Sequence, residues 1–239
     1  MATTTPTMKI SGTKRVPMTA LRKSSLAGGI FYLISFLSIP TLILYGSAKE
    51  SGYIVGQGPD TAVLVGGLLE LIVALAGIGS AVALFPVVKR QNEAVALGFV
   101  SARVLEAATI FVGVASLLAV VTLRQAGVGP DALVTGQALV AFYDRMFLLG
   151  QSFIPALNAL LLGSLLYRSR LVPRVLPVVG FVGAALLLAS DVAVLFGLWD
   201  RVSALSAIAA LPIALWEFSL GVYLVVKGFK PSPIAAGMV

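Results

Sequence analysis

Six apolar segments of membrane-spanning length follow one another between Leu26 and Val226, joined by connections as short as Asp200-Arg201. They run from Leu26 to Gly46, Thr61 to Val88, Ala94 to Leu123, Leu139 to Tyr167, Val175 to Trp199 and Val202 to Val226. The hydrocarbon core of a bilayer is about 30 Å thick and takes about 20 helical residues to cross. Inside it, backbone N–H and C=O groups must be satisfied without water, which restricts spanning segments to helices and closed barrels. Long continuous apolar runs fit the helix, not an alternating barrel strand. The expected fold is therefore all-α, a polytopic transmembrane bundle of six spans. Charged residues make up 11% of the chain, against about a quarter in soluble domains, so no separate soluble domain is expected.

The ends and connections carry the orientation signal. Residues 1–25 are polar and basic and read as a cytoplasmic or interfacial lead, residues 26–226 as the bundle, and residues 227–239 as a short cytoplasmic tail. A cleaved signal peptide ending at Gly46-Ser-Ala48 is disfavoured by the length of the first run and by its extended basic lead. With the amino terminus inside, cytoplasmic segments hold Lys9, Lys14, Arg15, Arg22, Lys23, Lys89, Arg90, Arg168, Arg170, Arg174, Lys227 and Lys230. The other side holds Lys49, Arg124 and Arg201. That imbalance places both termini in the cytoplasm by the positive-inside rule. The net charge of +7 is accordingly an orientation signal, and no nucleic-acid partner is expected.

The chain has no cysteine and no histidine. Thiol nucleophiles, disulfides, imidazole catalysis and histidine-held zinc or haem are therefore excluded. No lysine lies inside a span, so there is no retinal Schiff base, and no glycine-rich phosphate loop is present. Leu188-Ala-Ser-Asp191 replaces the Gly-x-Gly-Asp pattern of intramembrane aspartyl proteases. These absences lean away from an enzyme, and no cofactor or metal is expected.

Ionisable residues inside the spans are the candidate site, because they are costly there without partners. Arg103 and Glu106 lie in the apolar run Ala96 to Ala115, and their spacing of three puts them on one helix face. Glu70, Asp191 and Glu217 lie in other spans. Small-residue stripes share their faces: Gly66, Glu70, Ala74, Gly77, Ala81 in one span, Ala102, Glu106, Thr109, Gly113, Ser116 in the next, and Ser206, Ala210, Ile213, Glu217, Gly221 in the last. Small residues let helices approach closely, so these faces are expected to point into the bundle. Arg103 is the one deep cation for four acids, and is expected to be the centre of the network. Acids beyond its reach must be protonated or face a water-filled cavity. Asp191 is expected close to the outer surface, and Asp144-Arg145 at the interface.

Pro155 frees the carbonyl of Gln151, and Asn158 returns to the face of Gln151 seven residues on. Pro212 frees the carbonyl of Ile208 near Glu217. Broken helices beside polar side chains line binding sites in transporters, and are also ordinary in membrane helices. The candidate binding or proton-coupling residues are thus Arg103, Glu106, Glu70, Glu217, Asp191, Gln151 and Asn158.

Three passages together carry a resemblance: Ala83-Leu-Phe-Pro-Val-Val-Lys-Arg-Gln-Asn-Glu-Ala-Val-Ala-Leu-Gly98, Leu165-Leu-Tyr-Arg-Ser-Arg-Leu-Val-Pro-Arg174, and Trp216-Glu-Phe-Ser-Leu-Gly221 with Lys227-Gly-Phe-Lys-Pro-Ser232. From Leu26 onward the chain resembles the bacterial membrane proteins grouped as domain-of-unknown-function family 4386. The resemblance implies a multi-pass protein of about six helices in a bacterial plasma membrane, and transfers no functional residue. Two functions lead, ahead of a third and weaker class, a lipid-active enzyme using carboxylates alone. One is a small proton-linked transporter or channel-like protein acting on a small solute or lipid. The other is a non-transporting scaffold or accessory subunit that binds lipid or a partner membrane protein, its charges serving packing. The partners the residues point to are the lipid bilayer and a lipid or small solute, and the residues set no oligomeric state.

Overall fold

A computed structural model describes residues 18–237, so Lys9, Lys14 and Arg15 of the basic lead, and Met238 and Val239, lie outside the described residues. Among the described residues six helical stretches are long and apolar enough to cross a membrane: Ala20–Leu44, Thr61–Val88, Glu93–Gln125, Pro130–Ser169, Val175–Leu195 and Ala204–Val226. The described residues form helices and no strand. The expected six-span, all-α bundle is thus the observed one.

Two of the six stretches are interrupted. The first consists of α1 (Ala20–Ile34), a tight 3₁₀ turn at Ser35–Ser38, and the short α2 (Thr41–Leu44). Pro40 has no N–H to continue the ladder. Hydroxyls take up carbonyls at this break: Ser35 donates to the carbonyl of Tyr32 at 2.6 Å, Ser38 to Ser35 at 3.0 Å and Thr41 to Ser38 at 2.6 Å. The next two spans are α3 (Thr61–Val88) and α4 (Glu93–Gln125), both unbroken. The fourth span is α5 (Leu133–Phe147), a π-helical turn at Leu148–Phe153, and α6 (Ile154–Ser169). It is longer than the apolar run from Leu139 and follows the helical pattern back to Pro130. The last two are α7 (Val175–Leu195) and α8 (Ala204–Val226).

Local chemistry marks the helix starts. Side chains of Thr19, Asn92 and Ser203 accept from the N–H groups of Arg22, Val95 and Ser206, satisfying first-turn donors. The cap at Thr19 corrects one expectation: the helix begins ahead of Leu26, and Arg22 and Lys23 belong to it. From α1, Arg22 donates to the C-terminal carbonyls of α8, at 2.9 Å from Leu224 O and 2.5 Å from Val225 O. A cation at that end complements the helix dipole.

Helices α1, α3, α4, α6, α7 and α8 pack in a ring, each on the next, with α8 closing onto α1 and α5 lying against α4. Close approach needs glycine at two seams. A methyl on Gly183 would fall 2.6 Å from the backbone nitrogen of Ile213, and one on Gly29 would fall 2.8 Å from the carbonyl oxygen of Gly221. The largest core cluster joins Leu84, Phe99, Leu162, Leu166, Trp216 and Leu224. A second, with Tyr45, Tyr53, Leu117, Val120 and Tyr143, fills the opposite end.

The two sets of connections lie at opposite ends of the bundle. At one end Arg90 donates to the carbonyl of Ala236 and Lys230 N–H to Leu171 O. At the other, Asp144 pairs with Lys49 and with Arg201, each at 2.8 Å, and Arg124 pairs with Asp60. Lys49 and Arg201 thus share one carboxylate, and Arg124 has its own in Asp60. Tyr53 O–H donates to Asp60 at 2.7 Å and is the first cause holding that carboxyl below the usual aspartate range. Arg145 is exposed and Asp144 partly so.

Candidate functional site

The centre of the site is Arg103, 4% exposed, on the inward face of α4. One turn on, Glu106 Oε2 accepts from its Nη1 at 3.0 Å. Its Nη2 donates to Glu217 Oε1 of α8 at 2.9 Å. The guanidinium lies over the ring of Tyr32 from α1, 5.0 Å from its centroid, with Phe99 at 5.8 Å. Asn158 of α6 donates from Nδ2 to Glu106 Oε2 at 2.7 Å. Three helices thus meet on one guanidinium whose planar fork serves two carboxylates at once, and α6 joins through Glu106. The stripe reasoning located this centre, and the structure brings Arg103, Glu106, Glu217 and Asn158 together.

Glu70 does not join them. It is fully buried on α3, accepting at Oε1 from Tyr143 O–H at 2.8 Å and from Gln151 Nε2 at 3.3 Å. Tyr45 stacks edge-on against Tyr143, with centroids 5.3 Å apart. Arg103 is therefore the partner of two acids, and Glu70 is held by neutral donors. Gln151 and Asn158 also part company, one bonded to Glu70 and the other to Glu106. The reason is the π turn between them, which takes more residues per turn than an α-helix, so seven residues no longer return to one face. Gly150 in that turn sits so close to Thr109 of α4 that a methyl would collide with its hydroxyl.

Asp191 is the second correction. Its place near the end of α7 pointed to a solvated group, yet it is 5% exposed. Ser152 of the π turn donates to its Oδ1 at 2.6 Å, and its Oδ2 has no partner among the described residues. Tertiary covering by the π turn, invisible in the local sequence, buries it.

A cavity of about 370 Å³ runs between these groups. Its walls include Arg103, Glu106 and Glu217 at depth, Gln151, Ser152, Ser190 and Asp191 along one side, and Arg201, Val202 and Ser203 at the end where Asp144 lies. Ser203 and Glu217 are fourteen residues apart along α8, about 20 Å at 1.5 Å per residue. The cavity thus connects one end of the bundle with its ionic centre. The stripes border it differently: Ala74 and Gly77 of α3 line it and are buried, whereas Ser206, Ala210 and Glu217 of α8 line it and are only half-buried. Glu70 is not part of the lining.

Sequence reasoning missed the neutral partners. Tyr32, Tyr45, Tyr143 and Ser152 lie in or beside apolar runs, where a hydroxyl gives no signal until its acceptor is known. Among the described residues no group of three or more acids gathers closely enough to hold a metal ion.

No curated protein and no solved structure matches the chain. The family described as "Domain of unknown function (DUF4386)" matches residues 26–228, almost the whole helical bundle, and this chain belongs to that family.

Proposed function

We propose that the protein is a small proton-linked transporter or channel-like protein of the bacterial plasma membrane, with both termini cytoplasmic. The observation that supports this reading most is the cavity reaching from one end of the bundle to the Arg103–Glu106–Glu217 cluster. A charge cluster that served only to fix helix registry would be sealed among helices, as Glu70 is. This one borders open space, where a solute and a proton meet the same carboxylates.

The coupling follows from shared partners. Glu106 and Glu217 divide one guanidinium between α4 and α8. The Arg103–Glu217 contact is the only ion pair joining those two helices among the described residues, so its loss changes both the charge balance of the cavity floor and the hold on α8. Asp191 and Gln151 lie on the route to that floor and contribute polar groups to it.

The test is reconstitution of the purified protein into liposomes with an entrapped pH dye. An imposed pH gradient should collapse faster than in empty liposomes, and Glu106→Gln and Glu217→Gln should return it to the empty rate. Wild-type protein that leaves the gradient untouched, with mixtures of small solutes on either side, would favour the scaffold reading.

A further inference from the structure

The cavity specifies the charge of its occupant. Its deep walls bring one guanidinium, Arg103, against three carboxylates, Glu106, Asp191 and Glu217. Both terminal nitrogens of Arg103 are taken by carboxylates, leaving only Nε without a partner. Arg201 at the mouth is turned to Asp144 at 2.8 Å, a carboxylate it shares with Lys49. Asp191 has no ion pair among the described residues: it is 5% exposed, its Oδ1 takes a serine hydroxyl, and its Oδ2 has no partner there. A buried carboxylate held this way is incomplete, since a charge in a low-dielectric interior requires pairing. Ser190 and Ser206, whose hydroxyl oxygens are 3.5 Å apart, line the same space.

The remaining walls are apolar. Phe36, Ile39 and Leu42 border the cavity from the broken first span, and Ala207, Ala210 and Ala214 from α8. Ile39 and Leu42 are 58% and 64% exposed while lining it, so the cavity reaches the outer surface of the bundle between α2 and α8. At membrane depth that side faces lipid. The volume falls within the range of about 300–1,000 Å³ typical of small-molecule sites.

We propose that this cavity binds a monocationic amine with an apolar body, the ammonium group resting on Asp191 and the body lying along the α2 and α8 walls. An ammonium has three donors and no acceptor, which suits a carboxylate oxygen with no partner and neighbouring serine hydroxyls. This rests on the cavity being the solute site of the transport reading, and names the class of solute.

Phenethylamine is the probe, with phenylethanol and phenylacetate as its neutral and anionic counterparts. Binding to the full chain in detergent-free lipid nanodiscs is measured by calorimetry at neutral pH, with empty nanodiscs as the partition control. Saturable binding of the amine is expected, with phenylacetate showing none. Asp191→Asn should weaken the amine by about tenfold or more, the usual cost of a lost charged hydrogen bond, and leave phenylethanol unchanged. Ala210→Phe, which fills the cavity without touching a charge, should weaken amine and alcohol alike, and serves if Asp191→Asn fails to fold. Phenylacetate binding more tightly than the amine, or amine affinity unchanged in either variant, overturns the proposal. Because this is equilibrium binding without a gradient, it fails independently of the flux experiment. Binding without flux removes transport alone, and flux without binding removes the amine alone.

Discussion

Glu70 and Glu217 are both carboxylates placed inside apolar helices on small-residue stripes, and they end in opposite surroundings. Glu70 is sealed, fully buried and held by the neutral donors of Tyr143 and Gln151. Glu217 faces a cavity and is held by the charge of Arg103. The same residue type is thus enclosed by neutral donors in one place and borders a cavity in the other. What separates them is the covering: Tyr143 and Gln151 close over Glu70, which is not in the cavity lining, whereas Glu217 lies on the side of α8 that borders the cavity.

That contrast is broken most severely by Arg103→Ala. Removing one partner of a buried ionic cluster leaves uncompensated carboxylates and costs about 3–5 kcal/mol. The purified variant should show a large drop in thermal stability, or fail to accumulate. Wild-type stability would mean that the ionic centre is misplaced. A smaller effect is expected at the sealed site, where Tyr143→Phe leaves Glu70 with Gln151 as its one donor. The expected loss is about 1–3 kcal/mol, read by thermal unfolding, with flux through the cavity retained in the folded fraction.

Glu70→Gln should cost less still, because the amide keeps the acceptor that Tyr143 and Gln151 use and offers N–H groups in place of the unpartnered Oε2. A thermal shift as large as that of Arg103→Ala would show that Glu70 carries charge essential to the fold. The smallest effect belongs to the end cluster at Asp60. Its folded-state carboxyl is held below the ordinary aspartate range, first by Tyr53 and then by Gln125 and Arg124, so its stabilisation is complete above the unfolded value of about 4 and disappears as pH falls through the folded one. The difference in unfolding temperature between wild type and Asp60→Asn should be constant from neutral pH down to about pH 5 and shrink below pH 4. A difference that grows on acidification would reverse the assigned sign.

Much of the architecture is legible without coordinates. Span number follows from hydropathy, and the Arg103–Glu106 pair follows from a spacing of three within one helix. The stripe containing Gly221 and Ile213 also turned Glu217 toward Arg103 correctly. What could not be read depends on geometry that no local window contains. The π turn at Leu148–Phe153 rotates Asn158 away from Gln151. Ser152, carried on that turn, covers Asp191 and makes a group near a helix end into a buried one. Glu70 departs from Arg103 because Tyr143, a tyrosine in an apolar run, reaches it first. Hydropathy treats that tyrosine as ordinary core, so its O–H acquires meaning only through its partner.

The most direct measurement is proton flux in liposomes carrying Glu217→Gln or Glu70→Gln, compared side by side at equal reconstituted protein. The expected result is that Glu217→Gln falls to the rate of empty liposomes while Glu70→Gln stays near wild type. Flux lost in Glu70→Gln and kept in Glu217→Gln would contradict the division between a sealed carboxylate and one that works at the cavity.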